Sequence, residues 1–144
     1  MFLLDPQAMH TQTMSLINDV LTAVHPAHLI PQFMQRHGRQ LTIGPVQYDL
    51  DHGRLFLVSV GKAAVPMTQA AAEILGDSLF AGVGITKSMG NGQLSIGNFQ
   101  LTIGEHPVSG QNSVRATTAV TNLLRETRPG DLLLCLLSGG ASAC

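Results

Sequence analysis

The 144 residues carry 44% hydrophobic and 12% charged side chains and a formal net charge of −1. That apolar content excludes an intrinsically disordered chain, and the length suits one domain with a real core rather than two. The charged fraction, 12%, is about half the ~25% usual for soluble domains, which points to surface covered by another domain.

The 8 Lys and Arg residues are scattered, so no basic patch supports nucleic-acid binding. No apolar run reaches the ~20 residues that span a bilayer. The N-terminus lacks the basic and long apolar regions of a signal peptide, so no membrane association and a cytoplasmic setting are expected. Cys135 and Cys144 fit no disulfide framework or metal motif, and Cys135, inside an apolar run, reads as an inert core residue. The 6 histidines show no metal-ligand spacing, so no protein-built metal site is expected.

In chain order, Asp5 and Pro6 open a helix as N-cap and first helical residue, and Met9, Leu16, Ile17, Val20, Leu21 and Val24 give it an apolar face. His25-Pro26 ends it. A second helix over Ala27–His37 places Leu29, Ile30, Phe33 and Met34 on one side, with Gly38 as its stop. This makes a helical lead-in over about residues 5–38. A sheet region follows over about 41–144, beginning with an extended segment, Leu41–Leu50, interrupted by Gly44-Pro45.

Leu55–Val60 is an almost continuous apolar run, as expected of a parallel strand buried on both faces. It stops at Gly61-Lys62 and hands over to a helix with Ala64, Met67, Ala71 and Leu75 in phase. Phe80–Thr86 is a second buried strand, followed by the polar loop from Lys87 to Gly92. Phe99–Gly104 alternates and suits an edge position. Asn112–Glu126 is a helix, and Leu132–Leu137 is the most apolar strand of all. Strands alternating with helices predict an α/β fold, a Rossmann-like, mostly parallel sheet with flanking helices. The sheet ends on its most apolar strand with no helix after it, so the chain is expected to be the first part of a larger protein.

Lys62, at the carboxyl end of a buried strand, stands where open α/β sheets bind ligands. Ser138-Gly139-Gly140-Ala141-Ser142 forms a strand-to-helix turn whose backbone amides can cradle an anion. Each nominated residue has a plain structural alternative. Lys62 and Lys87 would serve as solvated lysines, His106 as a histidine satisfied by local backbone, and Ser138 and Ser142 as caps of a following helix. Neither a Walker loop nor a Gly-x-Gly-x-x-Gly after a strand is present; Gly82-x-Gly84 lies inside a strand.

Four motifs now stand in order: Val60-Gly61-Lys62-Ala63-Ala64, Gly82-Val83-Gly84-Ile85-Thr86-Lys87, Gly104-Glu105-His106-Pro107-Val108 and Leu137-Ser138-Gly139-Gly140-Ala141-Ser142-Ala143. Over nearly its whole length the chain resembles the N-terminal part of the glycerate 2-kinase family, whose C-terminal domain is called MOFRL. The resemblance implies a two-domain α/β kinase with its site between the domains, with ATP and Mg²⁺ or another divalent metal as cofactors. Its small-molecule substrate would be glycerate and its product 2-phosphoglycerate.

On that resemblance Lys62 is the catalytic cation and Ser138, Gly139, Gly140, Ser142 and His106 bind substrate or phosphate. Lys87 would contact nucleotide or substrate. The MOFRL domain is absent, so this chain alone is expected to be inactive, and a homo-oligomer is left open. The chain departs from the family where His-Pro-Val usually continues Pro-Asp and here continues Ser109-Gly110, so no role for an Asp carries over. Two other classes stand beside the kinase: a hydroxypyruvate reductase using NAD(P)H, and a non-catalytic module that binds phosphorylated sugars.

Overall fold

The computed structural model describes residues 6–87, 97–105 and 108–143. Helices α1 (Pro6–Ala23) and α2 (Pro26–Phe33) lead the chain. Pro6 opens α1 as expected; the Asp5 cap lies outside the described residues. The break between the helices is also a start signal, because the His25 ring accepts the Ala27 N–H at 3.3 Å while Pro26 takes the first turn of α2. The apolar stripe of α1, including Leu16, Ile17, Val20 and Leu21, is exposed.

The second helix is shorter than its periodicity predicts. It stops at Phe33, and Met34–His37 forms strand β1, paired antiparallel with β2 (Gln40–Ile43), which pairs in turn with β3 (Val46–Asp49). Gly38, at φ 60°, belongs to the β1–β2 turn and does not stop a helix. Tertiary contacts override the helical pattern here. Met34 is buried in the core, and Arg36 donates to the Ile74 carbonyl at 2.9 Å and the Ser78 hydroxyl at 3.1 Å. The sheet region therefore begins before residue 41, and its first part is a separate antiparallel sheet. Gly44-Pro45 interrupts the extended segment as expected, between β2 and β3.

The main sheet holds four strands in the order β6-β5-β4-β7. These are β4 (Leu55–Val60), β5 (Leu79–Thr86), β6 (Phe99–Ile103) and β7 (Leu132–Leu137), joined by parallel pairings throughout. Helix α3 (Ala64–Leu75) follows β4, and α4 (Gln111–Arg125) connects β6 to β7. Residues Leu55 to Ser59 of β4 are all buried, as its continuous apolar run predicts, and β6 takes the edge.

Alternate residues of β4 feed two cores. Leu55 and Leu57 join Ala71 and Leu75 of α3 together with Met34 and Leu41 of the small sheet. Phe56 and Val58 join Val83 and Leu123 of α4. The sheet is thus wound on both faces, and each fully buried Leu or Phe contributes about 1.5–3 kcal/mol.

Gly82 and Gly84 work as packing residues, since a Cβ on Gly84 would come 2.7 Å from the Leu101 side chain and 3.0 Å from the Phe99 ring. On β7 the residues in register with Phe56, Val58 and Val60 are Leu133, Cys135 and Leu137. All three are exposed, which corrects the reading of Cys135 as a core residue. The strand is apolar, but among the described residues α4 covers β5 and β6 rather than the outer part of that face.

Candidate functional site

The strand order decides where the site lies. From β4 the chain moves through α3 to β5 and on to β6, then crosses by α4 to the far side of β4 to lay down β7. The direction of winding therefore reverses between β4 and β7. In open α/β sheets the crevice beyond the carboxyl ends of the strands at such a switch point is the ligand site. Gly61 and Lys62 leave β4 there, and Ser138, Gly139 and Gly140 leave β7.

Three hydrogen bonds join the two exits. Ser138 N–H donates to the Val60 carbonyl at 3.0 Å, Lys62 N–H to the Gly139 carbonyl at 3.1 Å, and Ala63 N–H to Ser138 Oγ at 3.0 Å. Gly61 is buried at φ 118°, and a Cβ there would stand 2.7 Å from the Ser138 carbonyl oxygen. The glycine is required because the β7 exit passes against it. Ser138 Oγ thus caps the start of α3, the helix after β4.

This arrangement takes most of the donors at the start of α3, leaving the Val65 N–H. Ala63 N–H goes to Ser138, Ala64 N–H goes to the Gly61 carbonyl at 3.1 Å, and Pro66 has none. The β7 exit is different: no protein acceptor among the described residues takes the N–H of Gly139 or Gly140. Gly140 sits at φ 88°, and successive amides in such a turn form an anion-binding concavity. A Cβ on Gly140 would lie 3.2 Å from Cε of Lys62 and 3.3 Å from its Cγ. The lysine stem therefore lies along this glycine, while the side chain as a whole is exposed.

The structure thus brings together Lys62, Ser138, Gly139 and Gly140. Ser142 follows in the short turn Ala141–Ala143 and is exposed. Lys87 is exposed just past β5, on the same sheet edge but beyond the other neighbour of β4. His106 lies outside the described residues, as does the polar loop after Lys87. A groove of about 420 Å³ between α4 and the β5–β6 strands is lined by Gln100, Arg115 and Asn122 among others and by none of the nominated residues.

Sequence reasoning missed the capping role of Glu105, a lone loop carboxylate that did not establish a metal site; its carboxylate accepts the N–H groups of Asn112 at 3.1 Å and Ser113 at 3.3 Å at the start of α4. The signal was faint, because the cap comes from 7 residues before the first amide it takes. A turn with two open amides beside a lysine suits a phosphate or carboxylate. Among the described residues no cluster of three or more His, Cys, Asp or Glu could hold a metal ion. No described helix is long and apolar enough to cross a membrane.

The chain is 30% identical over 139 residues to a D-glycerate 2-kinase of Thermotoga maritima, covering 96% of this chain and 30% of that protein. The crystal structure of a glycerate kinase from the same organism superimposes with a TM-score of 0.72 at 30% identity, over 96% of this chain and 30% of that one. A crystal structure from Pyrococcus horikoshii shares the fold at a TM-score of 0.80 and 22% identity, over 99% of this chain and 31% of its own. A protein of Agrobacterium vitis named for hydroxypyruvate reductase is 32% identical over 91 residues, 63% of this chain and 23% of that protein. The chain therefore spans under a third of the length of these relatives. Residues 12–144 match the family described as a domain of unknown function, DUF4147, and the chain belongs to that family, alongside the glycerate 2-kinases with which it aligns.

Proposed function

We propose that this chain is the N-terminal part of an ATP-dependent glycerate kinase that yields 2-phosphoglycerate. The observation that carries the reading is the meeting of Lys62 with the open Gly139 and Gly140 amides where the sheet reverses direction. Phosphoryl transfer asks the protein mainly for positioning and positive charge. The two amides would hold an anionic group, the substrate carboxylate or a phosphate. Lys62, its stem resting on Gly140, would place its ammonium beside that group and stabilise charge that builds on the transferred oxygens.

Ser138 keeps its hydroxyl hydrogen to donate even while Oγ accepts from Ala63, and Ser142, His106 and Lys87 would complete the lining. ATP would supply the phosphoryl group, and Mg²⁺ or another divalent metal would supply charge neutralisation for its oxygens. The described residues fit the anion but offer no carboxylate set for the metal, so its protein ligands would come from other parts of the complete protein.

The Agrobacterium vitis relative brings a reductase into view. A dinucleotide's pyrophosphate would need the free amides of a helix N-terminus after the first strand. Here that helix is α3, where the Ala63 and Ala64 N–H groups are already used and Pro66 has none, which leaves the Val65 N–H to serve a pyrophosphate. The geometry therefore favours the kinase.

The test is ADP formation from ATP and glycerate by the complete protein carrying this segment, with the product resolved by phosphorus NMR. The expected result is 2-phosphoglycerate and no NADH or NADPH consumption with hydroxypyruvate; nicotinamide oxidation without ADP formation would overturn the reading. Tight phosphosugar binding with neither reaction would instead establish a binding module. Lys62→Ala is expected to lower kcat by about 100- to 1,000-fold with an unchanged Tm, as for removal of one charge-stabilising donor. A rate near wild type would remove Lys62 from the chemistry.

A further inference from the structure

Ser59 is the one polar residue of β4, a strand otherwise made of Leu, Phe and Val, and it is fully buried. Its Oγ donates to the Ala64 carbonyl at 3.0 Å. Ala64 is the first residue of α3, so the bond closes around the turn that carries Lys62. A backbone carbonyl has two lone pairs. In a regular helix one of those on Ala64 serves the Thr68 N–H, four residues on, and Ser59 takes the other.

Thr68 shows the consequence. It is fully buried, and its Oγ1 has no hydrogen-bond partner among the described residues. Thr11, Thr13, Thr117, Thr118 and Thr121, also on helices, each donate to the carbonyl four residues back, at 2.8–3.0 Å. For Thr68 that carbonyl belongs to Ala64 and is already filled. Packing alone does not call for this arrangement. An alanine at position 59 would suit the apolar strand, free the carbonyl and let Thr68 bond as the other threonines do. The fold instead keeps an unpaired buried hydroxyl, which costs stability, and departures from local rules of this kind gather at functional sites. This one brackets the turn of Lys62. On its other side the turn is tied to the β7 exit, by Lys62 N–H on Gly139 and Ala63 N–H on Ser138. Ser59 ties it to the core.

We infer that Ser59 is a positioning residue for Lys62. It does not touch substrate; it fixes the first turn of α3 against β4, and with it the point from which the lysine stem runs along Gly140. This rests on the reading of Lys62 as the catalytic cation, and the test separates the two ideas.

In the complete protein, Ser59→Ala is expected to lower kcat by about 10-fold, as displacement of a catalytic group does. Thr68 then takes the freed carbonyl, and Tm should stay within about 2 °C of wild type. Thr68→Val is expected to raise Tm and leave kcat unchanged. The deciding measurement places Ser59→Ala in a Lys62→Ala background. There it should cost no further rate, because a positioning residue acts only through the group it positions. An equal loss of kcat in both backgrounds would make Ser59 a general structural residue and overturn the inference. A wild-type kcat in Ser59→Ala, with Lys62→Ala slow, would overturn it alone. If Lys62→Ala runs at the wild-type rate, the reading of Lys62 fails and takes this inference with it. Where Ser59→Ala does not fold, Ser59→Cys fills similar space with a weaker donor. A lower kcat at wild-type Tm then supports the inference, and an unchanged kcat overturns it.

Discussion

Gly61 and Gly140 stand on opposite sides of one crevice, at φ 118° and φ 88°, and substitution at the two has different consequences. At Gly61 a new Cβ would meet backbone, 2.7 Å from the Ser138 carbonyl oxygen and 3.1 Å from its carbon. The exits of β4 and β7 would have to separate and give up the bonds between them. Gly61→Ala is therefore expected to cost on the order of 3 kcal/mol, from positive-φ strain together with lost backbone hydrogen bonds, and thermal denaturation would show it.

At Gly140 the new methyl would meet only the flexible stem of Lys62, at 3.2 Å and beyond. Gly140→Ala is expected to cost about 1–2 kcal/mol for the left-handed backbone and to displace the lysine. In the complete protein kcat should then fall by about 10-fold, short of the full loss of Lys62. Sequence placed both glycines just past strand ends, where a missing Cβ leaves room for a neighbour. Which neighbour fills that room was not legible, because Ser138 is far from Gly61 along the chain and meets it only through strand pairing. Ser138 illustrates the same limit: its hydroxyl caps a helix that begins before residue 65, a partner that no local pattern names.

Among the elements, those with one strong period were legible and those settled by distant partners were not. The apolar run Leu55–Val60 and the in-phase residues of α3 gave strand and helix to within a residue or two. The helical reading of Met34–His37 failed because Arg36 and Met34 are held by α3 and the core, and those contacts outweigh a short stretch of periodicity.

The end of the sheet opposite the site hangs on one ion pair that sequence spacing could not reveal. Arg54 Nη2 lies 2.6 Å from Asp131 Oδ2, and the guanidinium stacks 4.9 Å from the Phe56 ring centroid and 4.8 Å from that of Phe80. Asp131 also accepts the N–H groups of Arg54 at 2.8 Å and Arg128 at 2.9 Å. The Arg54 side chain, then the Arg54 backbone amide, hold the Asp131 carboxyl well below its ordinary value of 3.8. A depressed folded-state pKa means that the stabilisation is complete above the ordinary value and drains away as pH falls below it. Asp131→Asn is therefore expected to lower Tm at pH 7, by on the order of 5 °C. The variant should also show a shallower loss of Tm than wild type below about pH 4. Parallel Tm–pH curves for the two proteins would remove the pair from the acid transition.

At the scale of the molecule, the alternation of strands and helices made the parallel sheet legible, yet the order β6-β5-β4-β7 was not. That order follows from α4 crossing the opposite face from α3, a choice made by Leu123 meeting Phe56 and Val58. The order is what places Lys62 and the Ser138–Gly140 turn together, so the sequence nominated these residues without showing that they meet.

The crevice they form is open: Lys62 and Gly139 are exposed to solvent, and the chain spans 30% of the Thermotoga maritima kinase it aligns with. In water a single ammonium and two amides attract an anion weakly, because the high dielectric cuts a contact worth several kcal/mol in a dry site to about 1 kcal/mol. The 144-residue chain by itself is therefore expected to bind inorganic phosphate or ADP with a Kd of about 1 mM or weaker, near the −4 kcal/mol that such a constant represents. Lys62→Ala should weaken that binding further, and no ADP should form from ATP and glycerate. Calorimetric titration and a coupled ADP assay on the same preparation test both halves. Sustained turnover by the chain alone would mean that this crevice is a complete active site, and that the proposal of a site shared with the rest of a larger kinase is wrong.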